Sequence, residues 1–344
     1  MTPAAGNSIN FPTALFFFLL YRKNLYIMTR RFFLFSTLLT LLFTACSQQS
    51  EDEDEESTGR ITFFSDSGTR GSRVTSISSF GVTASAYATG SSYAAEQCGN
   101  YFYCQNVTSG TATTYYWPPT VKKMAFYAYY PYDNANLTVS AATTVGRPVY
   151  SYTVPQAIAS QVDVMTAEVT DRLSSDQSAV ALTFGHRCCE LRFKVYNQQS
   201  ASLTVKSISV YGVKYSGTYT SGTSWSLSGS VNSSSSHPFT LTTNTSVTSG
   251  ATVDITSATN HFIMLPQRVA ASTEFIVVKT QEDGAERTYS YTLPSYLDLN
   301  MGTSYEYLLT LGNGELTVSN TSVVNWQAVT TATSTFSTTT WTAQ

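Results

Sequence analysis

The chain has 344 residues, with 19 Lys and Arg against 22 Asp and Glu, and only 12% of its residues are charged. Residues 1–45 hold four of the bases and no acids, and six acids stand together from Glu51 to Glu56, so the remaining body carries 19 − 4 = 15 bases against 22 − 6 = 16 acids. Such a near-neutral body lacks the basic face that a nucleic-acid partner requires, while its many Tyr (23) and Phe (19) residues, with abundant Thr, suit a pleated, half-buried strand surface.

In chain order, an apolar run from Ala14 to Tyr21, closed by Arg22 and Lys23, precedes a second and complete export signal that starts at Met28. The start is therefore expected at Met28, and residues 1–27 are set aside from the fold. From Met28 the chain reads Arg30-Arg31, an apolar run from Phe32 to Phe43, then Thr44-Ala45-Cys46. The run is short of the roughly 20 residues that span a bilayer, and the order of basic, apolar and small residues is that of a secretory signal. With a cysteine after the small pair, the segment resembles a bacterial lipoprotein signal. That resemblance implies that Cys46 is acylated, becomes the new N-terminus and inserts its chains into outer-membrane lipid. The six acids that follow repel one another and stay solvated, which makes residues 46–59 a tether after the signal region 1–45. An acidic patch at this place also resembles the export signal that sends Bacteroidetes lipoproteins to the outer face of the outer membrane.

The body past the tether reads as short strands: Ile61 to Phe64, Phe80 to Tyr87 and Lys123 to Tyr130. A long block from Ala179 to Tyr196 follows. Later strands fall at Leu203 to Val213, Phe262 to Leu265, Phe275 to Lys279, Tyr289 to Leu293, Tyr305 to Leu311 and Val323 to Trp326. In the long block, Val180, Leu182, Phe184, His186 and Cys188 share one parity, and Cys189, Leu191, Phe193 and Val195 share the other. A strand keeps one face only while its parity holds, so a bulge or register break is expected at Cys188 and Cys189. No stretch has a 3.6-residue period. Short strands punctuated by Gly, Ser, Asn and Pro argue for an all-β fold of antiparallel sandwiches, and about 290 mature residues exceed one sandwich core. Two domains are expected, 60–176 and 177–328, with a Ser- and Thr-rich tail at 329–344.

Catalytic signals are absent from the sequence. His186, His237 and His261 have no metal-ligand spacing, and no phosphate loop or nucleophile elbow occurs, so neither enzymatic activity nor a cofactor is expected. His186 reads as a buried strand residue. Cys98 and Cys104 either close a small disulfide loop worth about 2 kcal/mol or remain two thiols. Cys188 and Cys189 point to opposite faces of a regular strand and read as small core residues. Tyr115, Tyr116 and Trp117, just before Pro118-Pro119, either plug a domain end or form a stacking platform, the latter making the chain a glycan-binding lipoprotein of the outer membrane.

Several landmarks in order are similar to the fimbrillin-like family of Bacteroidetes surface lipoproteins. They are Phe80-Gly81-Val82, Trp117-Pro118, Phe126 to Pro131, Asp163-Val164-Met165, Leu182-Thr183-Phe184-Gly185-His186, Leu191 to Val195, Gly302 to Tyr307, and Trp326. The resemblance implies two tandem transthyretin-like sandwich domains and a role in type V fimbriae, as a pilus subunit, accessory protein or related adhesin that contacts host or bacterial surfaces. It also implies assembly with other pilus subunits by strand exchange. Ile61 to Phe64 is then the strand to be removed, and Arg70 or Arg73 is the site of proteolytic maturation. The tail from Val329 to Gln344 offers only sparse apolar residues, Phe336 and Trp341 among them, which favours a tip or accessory role over a shaft.

Overall fold

Alternation of apolar and polar side chains organises the chain into strands. The computed structural model describes residues 59–67, 77–90, 99–120, 122–140, 146–312 and 314–326. The chain divides into Met1–Ser57 and Thr58–Gln344, and every described residue belongs to the second unit. Its first strands are β1 (Arg60–Ser67), β2 (Ser79–Ala88), β3 (Gly99–Thr108), β4 (Ala112–Tyr116), β5 (Lys122–Tyr130), β6 (Leu137–Val139) and β7 (Val149–Thr153). A 3-10 turn at Ile158–Ser160 precedes β8 (Met165–Leu173), β9 (Val180–His186) and β10 (Cys189–Asn197). Then come β11 (Leu203–Val210), β12 (Lys214–Thr220), β13 (Ser226–Val231), β14 (Phe239–Val247), β15 (Thr252–Asp254), β16 (Phe262–Met264) and β17 (Gln267–Val269). The last strands are β18 (Glu274–Glu282), β19 (Ala285–Thr292), β20 (Leu297–Leu299), β21 (Thr303–Leu311) and β22 (Leu316–Asn325). The protein is all-β, built of several largely antiparallel sheets in a sandwich-type arrangement. Among the described residues no helix is long and apolar enough to cross a membrane.

One seven-stranded sheet runs β3-β2-β5-β8-β9-β1-β4 and wraps a core of Ile61, Phe63, Phe80, Phe102, Trp117, Phe126 and their neighbours. Phe80 meets Phe184 edge-on at 5.2 Å, and Trp117 meets Phe126 at 5.9 Å. Gly81 sits opposite Tyr129, and a Cβ there would lie 2.2 Å from the tyrosine ring, so the ring packed over β2 admits only glycine at this place.

A second, larger core lies between the sheets β15-β10-β21-β22 and β14-β11-β18-β19. Phe193 lies at its centre, edge-on to Phe262 and stacked on Tyr307. A four-stranded sheet runs β13-β12-β7-β6, and its β7–β12 pairing joins strands from both sides of residue 177. The long apolar block of the sequence is two strands. β9 ends at His186 with its apolar residues in the first core, and β10 begins at Cys189 with its apolar residues in the second. The parity switch at Cys188 and Cys189 marks this crossing, and both thiols are buried in the second core.

Candidate functional site: the slot of the first strand

β1 alternates strictly. Ile61 and Phe63 are fully buried, whereas Arg60 and Phe64 face solvent, Phe64 at 53% exposure. Phe63 meets Phe126 and Phe102 edge-on with ring centroids 5.3 and 6.5 Å apart. Burial of this Ile and this Phe contributes about 3–6 kcal/mol in total.

Both hydrogen-bonding edges of β1 are also used. On one side it runs parallel to β9, from Phe63 opposite Val180 to Ser67 opposite Phe184. On the other it runs antiparallel to β4, with Arg60 opposite Tyr116 and Thr62 opposite Ala112. Gly59 donates its N–H to Gln177 Oε1 at 2.7 Å, and its carbonyl accepts from Trp117 N–H at 3.1 Å. The Phe63 carbonyl accepts from Gly110 N–H at 2.8 Å, Ser65 N–H donates to Ser109 Oγ at 3.0 Å, and Ser65 Oγ donates to the Ile77 carbonyl. The strand therefore occupies a slot whose two walls, β9 and β4, would each expose an open edge without it. Parallel pairing is slightly weaker per residue than antiparallel, so the longer wall holds β1 by the weaker of the two modes.

The structure places the residues singled out by sequence as follows. Cys46, Arg70, Arg73 and Cys98 lie outside the described residues. Cys104, in β3, is a free thiol with φ of 44°, and its sulfur lies 3.7 Å from Thr83 Oγ1. Tyr115, Tyr116 and Trp117 do not share a platform. Trp117 is fully buried, Tyr115 is half-buried and stacks on Phe102 at 4.3 Å, and Tyr116 alone is exposed. The Tyr116 ring lies under the Arg60 guanidinium at 5.5 Å, and its hydroxyl accepts from Arg60 Nε at 3.2 Å. Two of the three aromatics thus brace the first core, and the third fastens the start of β1.

A buried polar seam, which sequence reasoning missed, marks the place where the chain leaves the first core. His186 Nδ1 contacts Asp163 Oδ2, both groups are shielded from solvent, and the imidazole stacks on Trp326 at 4.3 Å and 6°. Four residues on, Glu190 is 1% exposed, and its Oε1 lies 3.3 Å from both Arg192 Nε and His261 Nδ1. Burial pushes the Glu190 carboxyl up to about 7, against the lowering pull of Arg192. The sequence separations, 23 residues for Asp163 and His186 and 71 for Glu190 and His261, left no local pattern to read; the only signal was an ionisable residue on a buried parity. Burial, with the nearby Asp163, also holds the Cys188 thiol protonated, well above its ordinary range, so it is no nucleophile. Among the described residues no group of three His, Cys, Asp or Glu could hold a metal ion.

A two-core, all-β chain whose first strand sits in a slot between two others is a β-sandwich protein with its first strand paired on both edges. The chain matches the fimbrillin-like family over residues 69–326 and belongs to that family. The matched stretch begins just after β1 ends. A fimbrial protein from Bacteroides vulgatus superposes with a TM-score of 0.53 at 16% identity, covering 77% of this chain and 99% of that one. A candidate cell adhesion protein from Bacteroides uniformis gives 0.52 at 19%, covering 78% and 98%, and one from Bacteroides ovatus gives 0.50 at 17% with the same coverage. At these identities the likeness shows the fold. No curated protein sequence matches the chain.

Two outcomes test this geometry. Phe63→Ala should cost about 3–5 kcal/mol of unfolding free energy in denaturant, whereas Phe64→Ala should stay within about 0.5 kcal/mol; equal costs would mean that β1 is not seated as described. For Glu190, the folded carboxyl at about 7 keeps a proton that the unfolded chain, at its ordinary 4.5, has released. Its stabilising contribution is therefore complete below pH 4.5 and is lost as pH rises through about 7. Glu190→Gln should then gain in melting temperature over the wild type between about pH 5 and about pH 8, and a pH-independent difference would contradict the assignment.

Proposed function

We propose that the protein is a non-catalytic, lipid-anchored surface subunit or accessory protein of fimbriae that assembles with other subunits by exchanging β-strands and serves adhesion. The observation that supports this reading is the seat of β1, paired on both edges and anchored by Ile61 and Phe63. A strand from a second molecule entering the vacated slot would restore the backbone pairing of β9, and its alternate side chains would fill the places of Ile61 and Phe63. Cleavage after Arg70 or Arg73, between the end of β1 and Ile77, would free β1 from the rest of the chain. The shared fold with a fimbrial protein and with candidate cell adhesion proteins favours the same surface setting here. Acylated Cys46 and the acidic run from Glu51 to Glu56 supply the anchor and the tether that hold the protein at the membrane until that cleavage separates them from the body. Glycan stacking at Tyr115, Tyr116 and Trp117 has less support, since one exposed ring makes no platform.

Protein recovered from assembled fibres should begin at Gly71 or Val74. Residues before Arg70 still attached in that material would overturn the exchange of β1. Independently, Cys46→Ala should move the protein from the membrane fraction to the soluble fraction and abolish labelling by a palmitate analogue. Unchanged labelling of that variant would refute the anchor.

A further inference from the structure

The second sandwich is open along one side. β19 and β22 are each the last strand of their sheet, and a cleft of about 130 Å³ lies between them. Phe275, Ile276, Leu293, Pro294, Leu297 and Val318 give it apolar walls, and Tyr296 on its rim is 66% exposed. An apolar cavity of about 150 Å³ holds one benzene ring, so this cleft has room for a single phenyl side chain. The two edges beside it differ in their guards. β19 carries Glu286 and Arg287, charges of the kind that keep an edge strand from pairing. β22 holds no charge, proline or glycine from Leu316 to Asn325, and its free edge has no ladder partner among the described residues.

The sequence continues directly from that strand. Residues 327–344, outside the described residues, are rich in Thr, contain Phe336 and Trp341, and have no glycine, proline or charge, a composition open to strand formation. Their length fits the edge. From Trp326 back to Asn320 is about 20 Å along a strand, and the stretch from Gln327 to Phe336 reaches about 33 Å when extended. The register fits as well. Against β21, Ser322 pairs with Glu306 and Asn320 with Tyr307, so Thr321 is an extra, bulged residue of β22. With that bulge counted, a return turn of two or four residues, both common hairpin lengths, sets Phe336 opposite Val318 or Asn320. Directly opposite residues share a face, and these two line the cleft. Trp341, by the same count, falls beyond Leu316, where β22 begins.

We propose that residues 327–344 fold back as a further strand on the free edge of β22 and that Phe336 fills the cleft. Backbone pairing along β22 supplies the line of the tail, and the apolar walls supply the seat for its one ring of matching position. Because a few residues tie it to β22, the tail meets that edge at an effective concentration in the mM range, ahead of a strand from any other molecule. The docked tail covers the one unguarded edge beside the cleft and so keeps β22 from pairing with a neighbour. The inference is independent of strand exchange at the first core, because the walls of the cleft do not include β1, β4 or β9.

Amide hydrogen exchange on the purified full-length protein decides it. Deleting residues 327–344 should speed exchange by about tenfold or more at the N–H groups of β22 that point away from β21, while β2 and β5 of the first core stay unchanged. Phe336→Ala should speed the same groups by about tenfold, through the loss of one buried ring, and Trp341→Ala should leave them as they are. Unchanged β22 exchange on deletion, equal effects of Phe336→Ala and Trp341→Ala, or a loss of protection spread evenly over both cores would overturn the proposal. So would β22 protection that grows with protein concentration, the mark of a second copy on that edge.

Discussion

A strand has three demands: its apolar side chains must be covered, and its two backbone edges must each find a partner. β1 meets all three inside one slot, with Ile61 and Phe63 in the first core, β9 on one edge and β4 on the other. The completeness of that fit gives the position its consequence. Any strand with the same alternation satisfies the same demands, because backbone pairing carries no sequence information and the pockets read only alternate side chains. In the proposed strand exchange, the slot would select an incoming strand by its alternation and by the two side chains that take the places of Ile61 and Phe63.

The second constraint lies where the chain passes from one core to the other. β9 and β10 are separated by only Arg187 and Cys188, yet their apolar residues belong to different cores. A covalent link this short fixes how β9, a wall of the slot, stands against the second sandwich. Asp163, His186, Glu190 and His261 are buried around that link, and Trp326, at the end of β22, closes over His186. Buried polar pairs are costly to break singly, so they favour one arrangement over its neighbours. The seam ties the end of the described chain to the wall of the slot at its start.

The first core is closed by aromatic rings, while the second leaves a cleft between β19 and β22 lined by Tyr291, Tyr296 and Tyr307. Tyr307 stacks on Phe193 and also lines the cleft, so one side chain belongs to both the packing and the open side.

Much of the fold was legible in the sequence because strand alternation is local. β1, β2 and β5 were visible from two-residue periods of large apolar side chains, and the parity switch at Cys188 and Cys189 marked the crossing between cores. β3 read as a loop, because its polar residues hide the alternation around Phe102 and Val107, and β13, exposed along nearly its whole length, has no apolar face to detect. The long block read as one strand, since a period of two reports a buried face and cannot say which core buries it.

By itself the sequence determined the all-β class, the near-neutral body, a first short strand at Ile61 to Phe64, and the ordered landmarks of the fimbrillin-like family, all properties of residue type and short spacing. Tertiary structure alone decided that β1 lies between β9 and β4, that Trp117 is walled in while Tyr116 is not, that His186 meets Asp163 and Trp326, and that Tyr296 and Tyr307 share a cleft. These contacts join residues tens to more than a hundred positions apart, and a pattern that repeats every two residues holds no record of which strand will come to lie beside which.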